Sequence, residues 1–182
     1  MGYQILSFLL DVAAGLFGGT CLLRLYMQYQ RVPFGNPVGR FVFALTDWIV
    51  LPLRRVLPAV RRVDTASLLA AYLFQLAQVA ILWLVAGGAG DGWMVPLVAL
   101  FELLRLAVSA LTALVIVYAV LSWVNADSPM ADVVDRLAAP LLRPWRRLIP
   151  LVGGIDLSPL AFLVALQVVA IVLSSLQASV LR

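Results

Sequence analysis

Four apolar stretches, near Ile5–Tyr29, Ala66–Gly87, Val95–Val124 and Leu157–Leu181, are each long enough to cross a bilayer, which takes a helix of about 20 residues. Inside hydrocarbon the backbone finds no water, so such stretches must close their hydrogen bonds internally, as helices. The composition agrees. The chain is 64% hydrophobic and 12% charged, with a mean hydropathy of +1.04, where soluble domains are about half apolar and a quarter charged. The expected fold class is an all-α integral membrane protein with four transmembrane helices. The first stretch lacks a basic leader, carries Asp11 and shows no A-x-A site, so it is expected to be a permanent helix.

The chain repeats itself. A shift of 92 positions, without gaps, brings Thr20 onto Thr112, Tyr26 onto Tyr118, Pro37 onto Pro129 and Pro52 onto Pro144. It also brings Arg54–Arg55 onto Arg146–Arg147, Pro58 onto Pro150, Asp64 onto Asp156, Leu68 onto Leu160 and Gln75 onto Gln167. Each unit is expected to be a membrane helix, a polar island and a second membrane helix. Residues 1–87 form the first unit, 88–93 a short external linker and 94–182 the second.

All 13 basic residues are arginines, and most lie in the two islands. The linker "GGAGDG" has none. The positive-inside rule then places both islands in the cytoplasm and both termini outside, as parallel repeats about an axis along the membrane normal. Trp93 and Trp123 bracket the third helix as interfacial anchors. With a net charge of +4 carried this way, anionic phospholipid is the expected partner rather than nucleic acid.

In the second island Asp132, Asp135, Arg136, Arg143, Arg146 and Arg147 oppose Val133, Val134, Leu137, Leu142 and Trp145 at helical spacing. In the first, Arg40, Asp47 and Arg54 oppose Phe41, Val42, Leu45, Trp48 and Ile49. Both patterns predict amphipathic helices in the headgroup plane, broken into short pieces by Pro52, Pro140 and Pro144. Arg54, Arg55, Arg143, Arg146 and Arg147 are the candidate contacts for lipid phosphate or a partner protein. Gly153–Gly154 allow a tight turn, and Asp156 or Ser158 can cap the helix that follows. Asp64 and Ser67 can do the same in the first unit. An Arg–Asp pair within each island is the other reading of these aspartates.

The string "PLLRPWRRLIPLVGGIDLSPLAFLVALQ" and its first-unit counterpart "PLRRVLPAVRRVDTASLL" resemble the YggT/YlmG family of small membrane proteins across essentially the whole chain. Arg61–Arg62 depart from the pattern where the second unit has Gly153–Gly154. The resemblance implies a multi-pass protein of the bacterial cytoplasmic membrane. Bacterial members are linked to osmotic or potassium homeostasis and to cell division, and plastid members to cytochrome b6 assembly and nucleoid distribution.

Ionisable groups at membrane depth are functional candidates by default. Asp11, Glu102 and Arg105 qualify, and the 92-residue shift sets Glu102 beside Asp11 in depth. They form a structural ion cluster, an ion or proton site, or groups that snorkel to the outer surface. Arg24 is expected to snorkel at the cytoplasmic end. Gln75 and Gln167 occupy matching mid-membrane positions, as glue between helices or as a polar wall. Gly15, Gly18 and Gly19 would permit close helix approach. Cys21 stands alone and is expected to pack as a small residue. With no histidine and no nucleophile–base pair or metal cluster visible, neither enzymatic activity, nor a metal, nor a cofactor is expected. Two functions remain. One is a non-catalytic assembly or organising factor that engages lipid and partner proteins through the islands. The other is an ion channel or transporter, which four helices could form only as a homo-oligomer.

Overall fold

The structure, a computed structural model, describes residues 1–57, 63–88, 92–124, 128–149 and 156–180. Pro58, Arg61, Arg62, Pro150, Gly153, Gly154, the middle of the linker and the Trp123 side chain lie outside what is described. Among the described residues six α-helices follow one another: α1 (Gly2–Tyr29), α2 (Pro37–Val56), α3 (Thr65–Val85), α4 (Val95–Val124), α5 (Pro129–Leu148) and α6 (Ser158–Val180). A single 3-10 turn, Gly92–Met94, leads into α4. Helices α1, α3, α4 and α6 are long and apolar enough to span a membrane. α1 packs on α3, α3 on α4 and α4 on α6, while α2 leans on α1 and α3 and α5 on α4 and α6.

Local chemistry explains the boundaries. Asn36 accepts the Gly39 amide at 2.8 Å and Ser128 accepts the Ala131 amide at 3.1 Å, so each caps a helix whose first residue is proline. Gly39 cannot be replaced, because a Cβ there would lie 2.2 Å from the Phe34 carbonyl oxygen. α1 ends as the Val32 amide reaches back to Met27 and the Arg31 amide to Gln28, with Arg31 in the left-handed region at φ 57°. This is a Schellman ending, built on an arginine rather than the usual glycine.

The prolines do not divide the surface helices. α2 runs through Pro52, and α5 runs through Pro140 and Pro144, contrary to the expectation of short pieces. Pro52 and Pro144 lie on exposed sides, where water or headgroups can satisfy the carbonyl that loses its donor. Of Gly15, Gly18 and Gly19 in α1, only Gly18 sits at a tight crossing. A Cβ there would come within 2.9 Å of Leu106 and 3.2 Å of the Gln75 amide nitrogen.

Candidate functional site: two polar zones

At the end of the bundle that carries the arginine islands, Asp64 is the hub. Its carboxylate accepts the Ser67 amide at 3.4 Å and the Ser67 hydroxyl at 2.6 Å, and so caps α3. It also takes Arg54 in a two-pronged grip, Arg54 Nε lying 3.3 Å from Oδ1 and Nη2 bonding Oδ2. Capping and ion pairing are therefore one arrangement here. The Asp64 side chain is 0% exposed. Burial by itself pushes such a carboxyl up, but the bonds from Arg54 and Ser67 and the Arg54 charge outweigh it and hold Asp64 below the ordinary carboxylate value.

Arg24 belongs to the same network and does not snorkel. It is 2% exposed and donates to Thr46 Oγ1 and to Asp47 Oδ1, both at 2.7 Å. Its Nε lies 4.0 Å from Asp64, and its guanidinium stands 4.8 Å from the centre of the Phe43 ring. The reason is α2, which folds back over the end of α1 and offers a carboxylate, a hydroxyl and an aromatic face. Arg54 further donates to Gln28 at 2.8 Å. Gln28 and Thr46 carry no signal in the sequence, whereas Ser67 does, beside Asp64 at the start of α3, and Asp47 does, as a member of the polar side of α2.

The second unit repeats the hub in simpler form. Arg146 Nε donates to Asp156 at 2.9 Å, and its Nη2 bonds the Tyr118 hydroxyl. Asp156 accepts the Ser158 amide at 2.9 Å. Burial raises the Asp156 carboxyl, and the contacts with Ser158 and Arg146 more than offset it, so it too lies low. Burial likewise works against the Arg146 charge, and Asp156 and Tyr118 outweigh it, holding the guanidinium above its ordinary value. The positions matching Arg24, Thr46 and Asp47 are Ile116, Ala138 and Ala139, so no buried cation is held there. Of the candidate lipid-contact arginines, Arg54 and Arg146 turn inward to aspartate, while Arg55, Arg143 and Arg147 face outward.

The second zone lies in the other half of the spans. Asp11, Gln75, Gln78, Glu102, Arg105 and Ser109 line a cleft of about 190 Å³ between α1, α3 and α4. Arg105 pairs with Glu102 at 3.1 Å on α4 itself, while Asp11 accepts a bond from Gln78 across to α3. The three charges share one cleft, but no single contact joins all of them. Gln75 is 4% exposed and donates to the Ala14 carbonyl at 3.4 Å. Gln167, its partner under the shift, faces outward from α6 among Leu160, Val164 and Ile171. Between the two zones Cys21 of α1 and Ala70 and Ala71 of α3 are fully buried with Val50 of α2. The Thr20 hydroxyl at this level turns back to the Leu16 carbonyl.

Four apolar spanning helices with two island helices against one end define a multi-pass helical membrane protein. More narrowly, the CCB3/YggT family model matches residues 3–85 and again 97–177, and the chain belongs to that family. The Escherichia coli (strain K12) protein called "Uncharacterized protein YggT" is 39% identical over 165 residues, covering 90% of this chain and 86% of that protein. The Vibrio alginolyticus "Uncharacterized protein in proC 3'region" is 33% identical over 165 residues, covering 89% of each. No solved structure matches the chain.

Proposed function

We propose that the protein is a non-catalytic organising factor of the bacterial cytoplasmic membrane, with α5 as a fixed charged platform on the cytoplasmic face. The observation that carries this reading is the division of α5. Val133, Val134, Leu137, Ala138 and Leu142 are buried, while Asp132, Asp135, Arg136, Arg143 and Arg147 are left exposed. Its apolar side is spent on the bundle, which leaves Arg136, Arg143 and Arg147 turned outward toward phosphate or acidic partner segments. Arginine meets phosphate with two parallel bonds, and each such residue near an anionic leaflet contributes about 1 kcal/mol of attraction. Arg146 ties the platform to the start of α6 through Asp156.

The test is native mass spectrometry with phosphatidylglycerol or cardiolipin. Changing Arg143 and Arg147 to Gln is expected to lower lipid retention several-fold, with Lys at both positions restoring only part. Undiminished retention would remove the lipid role. A channel or transporter, motivated by the cleft around Asp11, Glu102 and Arg105, is the second reading. The buried apolar layer at Cys21, Ala70 and Ala71 speaks against a path through one chain, so it requires an oligomer. Ion flux in proteoliposomes that disappears on Glu102→Gln would favour it.

A further inference from the structure

Helices α2 and α5 start and end at corresponding positions and match Pro37 with Pro129 and Pro52 with Pro144. They bury Val42 and Val134, Thr46 and Ala138, and Val50 and Leu142 in register, although Val133 is buried where Phe41 is exposed. Their outward sides nevertheless differ in kind. Where α5 presents Arg136, Pro140 and Arg143, α2 presents Ala44, Trp48 and Leu51, with Phe41 beside them. Phe41 is 53% exposed, Trp48 59% and Leu51 49%. These residues recur at three- and four-residue steps and form one stripe on the helix. The polar groups of α2 that would keep a helix at the water surface, Thr46, Asp47 and Arg54, are engaged by Arg24, Asp64 and Gln28. Arg40 and Arg55 are exposed, one toward each end of the stripe.

Depth is given by the aromatic contacts. The Trp48 ring meets Phe17 edge-on at 6.1 Å and Phe74 at 5.9 Å. Phe17 and Phe74 stack on each other at 5.4 Å, and each lies near the middle of its spanning helix. Phe74 is ten residues beyond Asp64, or about 15 Å along a helix, which is about half of a 30 Å hydrocarbon core. On the other helix Trp145 instead meets Phe162 at 5.8 Å, close to the start of α6.

We propose that the outer face of α2, the stripe Phe41, Ala44, Trp48 and Leu51, is an acyl-chain-binding surface sunk into the leaflet on the arginine side, and that the Arg136–Pro140–Arg143 side of α5 stands in water. The occupant is lipid hydrocarbon because the stripe is continuous, through Trp48, with the outer surfaces of two spans at mid-depth. Water there would leave large aromatic and aliphatic area solvated. The arginines toward its ends match residues that send their charge up to the headgroups while their stems stay in hydrocarbon. The duplicated island thus does two jobs: α2 anchors in the leaflet and α5 faces the aqueous side.

Two measurements test this. In a Cys21→Ala background, Ala44→Cys and Leu51→Cys on α2 and Arg136→Cys and Arg143→Cys on α5 are spin-labelled in proteoliposomes. The ratio of collision with oxygen to collision with a water-soluble nickel chelate is expected to be several-fold higher at 44 and 51 than at 136 and 143. In parallel, the unaltered chain is reconstituted with phosphatidylglycerol carrying a diazirine midway along one acyl chain. Photolysis is expected to mark Phe41, Trp48 or Leu51. Ready collision with nickel at 44 and 51 would overturn the proposal in favour of a water-facing helix. Labels shielded from both reagents, with adducts on the spans but none on α2, would overturn it in favour of a protein-covered face, including a second copy of this chain.

Discussion

Arg24 sits five residues before the end of α1, where a long cationic side chain would ordinarily reach for the surface. It turns inward because Thr46 and Asp47 supply acceptors at 2.7 Å and Phe43 supplies a ring face. Asp47 is 41% exposed, so the carboxylate left without Arg24 keeps part of its water, and the loss is that of charged hydrogen bonds, at about 1.5–3 kcal/mol. Arg24→Leu should therefore lower stability by about that much, and adding Asp47→Asn should recover part of it; both are read from denaturant unfolding in detergent. Asp64 has a pH signature. Its native value lies below the ordinary carboxylate value, so its stabilisation is complete above about pH 4. That stabilisation is lost as pH falls through the lower native value. The unfolding temperature should drop across that acid window, and Asp64→Asn should be less stable at neutral pH and flatter below pH 4. An unchanged acid slope in that variant would assign the pH dependence to other groups.

At the scale of the helix, the same repeat pattern serves unlike surroundings. Pro144 lies on the exposed side of α5, inside an unbroken helix. A proline there costs a backbone bond and strains the turn before it, by about 3 kcal/mol in an ordinary helix. Pro144→Ala should raise thermal stability, by about 1–3 kcal/mol if the turn relaxes fully; a drop would mean that the bend is needed for the packing of Leu142 and Trp145. Tyr26 and Tyr118 show the same divergence. The Tyr26 hydroxyl reaches the Leu137 carbonyl at 2.9 Å, which ties α1 to the other unit's surface helix, while Tyr118 meets Arg146 within its own unit.

For the molecule as a whole, the arginine asymmetry predicts orientation. Reporters fused at either terminus should read outside, and one inserted near Pro58 should read cytoplasmic; cytoplasmic termini would reverse the assignment of both islands. The positions of the two polar zones along the spans make this matter. The Asp11–Glu102–Arg105 cleft then belongs to the outer half and the Arg24–Asp64 network to the inner leaflet, with the buried Cys21–Ala70–Ala71 level between them.

The four spans were legible from the sequence to within a few residues, because about 20 apolar residues in a row allow the backbone little other than a helix. The 92-residue shift placed α2 and α5 in register, and capping chemistry made Asp64 and Asp156 visible as helix starts. Sequence alone could not say which side of α2 meets the bundle. Its charged residues looked like a solvated face, yet Asp47 and Arg54 find Arg24, Gln28 and Asp64, residues 10 to 26 positions away. Whether an arginine is a surface charge or a buried strut depends on which acceptors the other helices bring within 3 Å. That is a property of packing, and one-dimensional spacing does not contain it.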